Sequence, residues 1–441
     1  VLPVILDEIE NIRGYEYLCN EQIASKLKAM LLKKKIYSYL RKEFKEEENV
    51  AALVSKLNKN KMQAGLWGWW DDNDPSMWIS LHAIEALLAA EKEGYKVDLN
   101  KQAIIDYLVY NYTANTVSDK ISSLFILRSL EAKIDFKKYL EPVDTSMRFL
   151  TLNEKLKVLL LKKKLGSAIS IDSLYQQHYK TMFGNIYWGK DDYHLFDNTV
   201  QNTLLMYQLM KLQPGYEMAL KKVLYYFLEK RRNGHWANTY ESALVLETIL
   251  PDLLVDTARR QPVSLSINGS APVQTFPFSM ETVATQKITV SKSGNQPVYF
   301  TAYQQSWNKQ PNRVSGDLSV TSYFEQDNSD LRGLRAGVPA RLKITVNVKA
   351  DADYVMIEIP IPAGCSYKEK SQSHNNYEVH REYFKDKVSI FCTTLPVGTY
   401  SFAISLMPRY TGKYHLNPAR AEMMYFPIFY GREQEKLISI F

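Results

Sequence analysis

Apolar residues recur every three or four positions through most of the first 255 residues, the spacing that gives a helix one buried face. Ile23, Leu27, Met30 and Leu31 make one such stripe, and Met77, Leu81, Ile84 and Leu88 a second. Phe196, Val200, Thr203, Leu204 and Tyr207 make a third, and Ala243, Leu246, Ile249 and Leu250 a fourth. Less regular helices are predicted over 47–58, 101–111, 119–131, 145–163 and 168–180. A loop motif recurs among them. Gly65-Leu66-Trp67-Gly68-Trp69-Trp70, Ile186-Tyr187-Trp188-Gly189 and Gly234-His235-Trp236 each lead into an amphipathic helix, near Ser76, Phe196 and Tyr240. Repetition of one supersecondary unit predicts stacked helical hairpins. Within a single domain these close into an α/α toroid, with inner helices ringed by outer ones, and packing is the expected duty of most of the tryptophans.

Near Asp256 the period changes from helical to alternating. Val263, Leu265 and Ile267 alternate with serines up to the turn pair Asn268-Gly269, and β-branched runs follow at 286–290 and 297–303. Further strands are predicted at Leu342/Ile344/Val346/Val348, Tyr354–Ile359, Val388–Cys392 and Tyr400/Phe402/Ile404/Leu406. Short strands punctuated by Gly, Pro and Asn predict antiparallel sandwiches. The reading is therefore multidomain α plus β: a toroid over 1–256, a β-domain with too few strands to be whole over 257–310, and a β-sandwich over 311–441.

Composition narrows the function classes. The chain has 441 residues, enough for two or three domains, and its +7 charge comes from 55 basic and 48 acidic residues. Its densest basic runs, Lys33-Lys34-Lys35 and Lys162-Lys163-Lys164, adjoin helical patterns and read as solvated faces, so nucleic acid is not expected as a partner. No run is apolar enough to span a membrane, and the N-terminus carries no basic region or cleavage site. A start at Val1 reads as part of a longer protein. Three cysteines are too few for a disulfide framework; Cys365 and Cys392 stand open between a pair and two buried thiols.

Three groups of residues bear on chemistry. Asp71-Asp72-Asn73-Asp74 beside Trp69 and Trp70 would suit a toroid enzyme acting on polysaccharide or isoprenoid, but no second carboxylate cluster matches it, and the acidic start of a helix is the favoured reading. The seven histidines show no metal-ligand spacing, and neither a metal nor a cofactor is expected. The third group is Tyr15-Glu16-Tyr17-Leu18-Cys19-Asn20-Glu21-Gln22. A helix start puts Cys19 and Gln22 about one turn apart, so the thiol can attack the side-chain amide, expel ammonia and leave a thioester. Such a bond is an electrophile that an outside amine or hydroxyl can capture. On these residues alone, a helix-start cysteine packed into the core explains the pattern as well.

The pattern Tyr15-x-Tyr17-x-Cys19-x-Glu21-Gln22 resembles the thioester motif of bacterial alpha-2-macroglobulins, relatives of the complement thioester proteins. Ile361-Pro362-Ala363-Gly364, Leu395-Pro396-Val397-Gly398-Thr399-Tyr400 and Pro418-Ala419-Arg420-Ala421-Glu422-Met423-Met424-Tyr425 resemble that family's closing sandwich. Glu16 and Leu18 stand where the family usually has proline and glycine. The resemblance implies a toroid inserted in a CUB-like domain and followed by a macroglobulin sandwich. It implies a single-use protease trap rather than an enzyme, with Cys19 and Gln22 in the thioester and Glu21 supporting the motif. Tyr15 would shield the bond, with further cover from Tyr17, the Trp67–Trp70 loop or Tyr425. The partners implied are target proteases, captured through a lysine, and upstream macroglobulin domains of the same protein. The implied compartment is the periplasm, with any membrane tie through a distant lipid anchor. A relative with a dead thioester, serving only as a binding scaffold, is the remaining reading.

Overall fold

In the computed structural model, twelve helices carry the first unit among the described residues. They are α1 (Leu2–Gly14), α2 (Asn20–Tyr39), α3 (Glu47–Asn60), α4 (Met77–Lys92), α5 (Lys101–Asn111) and α6 (Val117–Ser129), then α7 (Phe136–Thr145), α8 (Leu152–Lys164), α9 (Asp172–Gln176), α10 (Thr199–Lys211), α11 (Glu217–Glu229) and α12 (Thr239–Leu254). The structure describes residues 2–62, 64–70, 74–190, 195–232, 234–254, 263–276, 278–283, 285–294, 298, 300, 311–326, 329–330, 333–371 and 377–441. The chain divides into two units, 1–303 and 304–441.

The even-numbered helices close a ring. α2 packs on α4, α4 on α6, α6 on α8, α8 on α10, α10 on α12, and α12 returns to α2. Outside it, α1 lies on α2 and α12, α3 on α2 and α4, α5 and α7 on α6, and α11 on α10. This is the α/α toroid. An inner helix has neighbours on nearly every side, so its buried face widens until it includes polar residues. In α2 every residue from Asn20 to Lys33 is buried. Outer α3 buries only Val50, Val54, Leu57 and Asn60, one stripe.

The Gly/Trp loops do the same job in each repeat. The indole N–H of Trp67 donates to the Leu57 carbonyl at 2.9 Å, that of Trp188 to Leu174 at 2.7 Å, and that of Trp236 to Phe227 at 2.8 Å. Each bond ties the preceding odd-numbered helix to the loop that leads into the next inner helix. The indole buries a large apolar area and satisfies its one donor at once. Gly189, at φ +86°, is required for a second reason: a Cβ there would lie 2.5 Å from Asn202 Nδ2.

Two predicted helices come out differently. The stretch over 145–163 is broken, because Thr151 starts a new helix by exchanging hydrogen bonds with Glu154. The stretch over 168–180 keeps only the short α9, then turns into a hairpin pairing Tyr179–Lys180 with Ile186–Tyr187. Helix α1, which precedes the predicted helical stretch, buries Ile5, Ile9 and Ile12 in the toroid core.

Beyond the toroid, Ser264–Ile267 pairs antiparallel with Val290–Ser293, and Leu265 also bridges Val273. Asn268 and Gly269 both take positive φ, 52° and 74°, the twist a tight hairpin turn needs. Most of the strand predicted at 297–303 lies outside the described residues, as do Asp71 and Asp72.

The second unit is an antiparallel sandwich. One sheet orders Cys365–Tyr367, Gly398–Pro408, Ala340–Val348, Leu318–Gln326 and Ser329–Asp330; the other orders Glu378–Tyr383, Lys387–Leu395, Ala352–Pro360, Arg420–Met423 and Phe426–Arg432. Register places Phe402 opposite Ile344 in the first sheet and Ile390 opposite Ile357 in the second. Alternate residues of both sheets meet as one core. Cys365 and Cys392 belong to different sheets and are free thiols.

Candidate functional site

Cys19 is the N-cap of α2, extended at φ −67° and ψ 166°, and Gln22 is the third helical residue. Those are the positions of a capping box, in which the third residue reaches back to the N-cap. The Gln22 side chain does so: its Oε1 accepts from the Cys19 N–H at 3.0 Å. The carboxamide is thereby folded back onto the residue that carries the thiol. Both residues are 1% exposed. The helix N-terminus adds a positive field that favours an anionic sulfur.

The neighbours of this turn come from across the ring. Glu21, fully buried, accepts from Ser25 Oγ at 2.6 Å and from Thr239 Oγ1 of α12 at 3.1 and 3.0 Å. Ser25 Oγ in turn meets His82 Nε2 of α4 at 2.9 Å. Because the Ser25 hydroxyl donates to the carboxylate, His82 must donate through Nε2, which leaves Nδ1 bare and without a partner among the described residues. Burial, with the Lys28 charge behind it, holds the imidazole well below its ordinary range, consistent with that neutral form. Lys28 itself sits between Glu247 and Glu85, 3.0 Å from each; burial lowers its pKa, but the two carboxylates more than offset this.

The loop before Cys19 is held as well. Tyr17 is buried and Tyr15 half-buried, their rings 6.0 Å apart at 66°. The Tyr15 carbonyl accepts from Lys26 Nζ at 2.6 Å. On the other side, Asn20 donates its N–H to Trp69 O at 3.0 Å and its Nδ2 to Gly68 O at 3.1 Å, while Asn60 Nδ2 donates to Asn20 Oδ1 at 2.8 Å. The Trp67–Trp70 loop therefore lies next to the candidate thioester, with Trp69 and Trp70 both buried. Leu18 does not take a left-handed backbone, so the turn works without glycine there.

Sequence reasoning placed Cys19, Glu21, Gln22, Tyr15 and Tyr17 together, and the structure brings them to one helix start. It missed Ser25, Lys26, His82 and Thr239. Ser25 and Lys26 carry a usable signal, being one helical turn beyond Glu21 and Gln22; His82 and Thr239 carry none. Asp74 is exposed. Among the described residues no cluster of His, Cys, Asp or Glu could hold a metal ion, and no helix is long and apolar enough to cross a membrane.

Comparison with known proteins bears on the second unit by sequence and on the whole chain by fold. The profile of the bacterial alpha-2-macroglobulin MG10 domain matches residues 313–427. The fold of the whole chain is that of the C-terminal part of such proteins. The Escherichia coli alpha-2-macroglobulin fragment from domain MG7 to the C-terminus is 16% identical, with 99% of this chain and 75% of that one covered at a TM-score of 0.69. Salmonella alpha-2-macroglobulin reacted with methylamine is 15% identical, with 99% and 31% covered at a TM-score of 0.71. The native E. coli protein is 17% identical, with 99% and 30% covered at 0.68. The chain thus spans about a third of the longer relatives. No curated protein matches the sequence.

Proposed function

We propose that this chain is the C-terminal portion of a broad-spectrum covalent protease trap, built on an internal thioester between Cys19 Sγ and Gln22 Cδ. Its parts are the toroid (1–256), a partial CUB-like domain (257–310) and the macroglobulin sandwich (311–441). The thiol attacks the Gln22 amide carbon, ammonia leaves, and the buried acyl–sulfur bond waits. When a protease cuts elsewhere in the full-length protein and the site opens, a lysine of the protease attacks Cδ and becomes joined to Gln22 through an amide. Cys19 is released as a thiol. Each site reacts once, which is inhibition by capture rather than turnover. The family's compartment, the periplasm, suits this role.

One observation carries the reading: the Gln22 carboxamide is folded back onto Cys19 at a helix start, with both residues withdrawn from water. Burial matters because a thioester hydrolyses when wet. The relative from Salmonella was obtained after reaction with methylamine, the small amine that would probe the same bond here. Intact mass tests the proposal. The unreduced, amine-free chain should weigh one ammonia less than its sequence, and methylamine should add its full mass while releasing one thiol. Cys19→Ala should show neither. A full sequence mass in freshly made, full-length protein overturns the reading.

A further inference from the structure

Helix α2 buries three lysines, and two of them are paired. Lys28 has Glu85 and Glu247, and Lys33 has Glu10 and Glu46 at 2.7 and 2.8 Å. Lys26, 7% exposed, has no carboxylate partner among the described residues. Its ammonium makes one hydrogen bond, to the neutral carbonyl of Tyr15. An ammonium has three donors, and burying one without a counter-ion is costly. The nearest carboxylate on its own helix, Glu21, is committed to Ser25 and Thr239 on the side of α12. Burial and then the charge of Lys56 lower the Lys26 pKa, and Cys19 opposes them by favouring the charged form. A helical side chain leans back toward its N-terminus, so Lys26 reaches over the first turn toward the cap.

We propose that Lys26 is a positioning residue whose ammonium is the waiting counter-ion for the Cys19 thiolate that forms when the thioester opens. This deepens the reading of Cys19 and Gln22 given above and rests on it. In the step concerned, the attacking amine nitrogen bonds to Gln22 Cδ and the Cδ–Sγ bond breaks. Its electron pair stays on sulfur, and the amine proton goes to solvent. Negative charge appears on Sγ only then, so a fixed cation there favours the leaving group over the intact bond, as preorganised charge does in general. The same charge favours the thiolate that must attack the amide when the bond is first made.

The test separates this from the thioester itself. In a Gln22→Ala chain no thioester can form, and the Cys19 thiolate is read by its absorbance near 240 nm against a Gln22→Ala, Cys19→Ala control. Cys365 and Cys392 do not interfere near neutral pH, since burial pushes Cys365 up to about 11 and Cys392 further. Adding Lys26→Met should cut the thiolate population at pH 7 roughly tenfold, and Lys26→Arg should retain it. Lys26→Gln, which can still donate to the Tyr15 carbonyl, should behave like Lys26→Met. In the chain that carries Gln22, Lys26→Met should slow methylamine capture. An unchanged thiolate population overturns the proposal. So does faster capture, the sign expected if Lys26 only latches the loop. Absence of the ammonia deficit in the parent chain would instead strike the thioester, and the absorbance result would still stand.

Discussion

Truncating Tyr15 to alanine tests the wall around the bond, and the structure sets the size of the effect. The backbone of Tyr15 is pinned twice, its N–H to Ile12 O at 3.3 Å and its carbonyl to Lys26. Neither bond needs the side chain. The variant loses at least the edge contact with Tyr17 and the cover of a half-buried ring. An edge-to-face pair contributes about 0.5–1.5 kcal/mol beyond its buried area, so the closed loop loses about 1–2 kcal/mol in all. A loss of that size raises the open population roughly five- to thirty-fold. Global stability should change little, because α1 and α2 are anchored by Ile5, Ile9, Ile12, Leu32 and Ile36 in the toroid core. The assay is the rate of methylamine incorporation by mass, with spontaneous hydrolysis followed alongside and thermal unfolding as the control. Incorporation should accelerate by about an order of magnitude, since reaction through a fast opening follows the open population. A Tyr15→Ala chain that reacts within about twofold of the parent would refute the argument and leave the cover to Tyr17 and the Trp67–Trp70 loop.

Two further predictions concern pH. His235 Nδ1 meets buried Glu8 Oε2 at 3.0 Å, and that bond raises the histidine's pKa, against desolvation and Arg231. A raised folded pKa means the pair's stabilisation is complete below about pH 6.5 and fades as pH rises through the folded value; the gap in melting temperature between the parent and His235→Gln should therefore shrink from pH 5.5 to 8.5, and a constant gap would contradict this. In the sandwich, burial and then Glu358 push the Glu422 carboxyl up to about 7, with Arg420 opposing. The folded state thus keeps a proton that the unfolded chain sheds near pH 4.5, so stability falls between those values by on the order of 3 kcal/mol, and Glu422→Gln should flatten that slope in urea titrations at pH 5 and 8.

Much of this protein is legible in local pattern. The inner helices show in their apolar spacing, and the three Trp loops announce the repeat because each uses the same indole-to-carbonyl bond over 9 to 14 residues. Cys19 and Gln22 are legible for the same reason: a capping box spans four residues, so one helix start contains the whole geometry. Alternation likewise marks Leu342–Val348 and Tyr400–Leu406 as strands facing a core.

What tertiary structure decided is everything that joins distant positions. Glu21 finds Thr239, 218 residues away, because the ring closes α12 on α2. His82 reaches Ser25 across 57 residues, and no spacing rule links them. The lysines of α2 look alike in sequence, yet Lys28, Lys33 and Lys34 receive carboxylates from neighbouring elements and Lys26 receives none among the described residues. Local chemistry is written in residues a turn apart, since the backbone alone sets their distance. Charge pairing and burial depend on which helix the fold brings alongside, and that is settled only when the ring is closed.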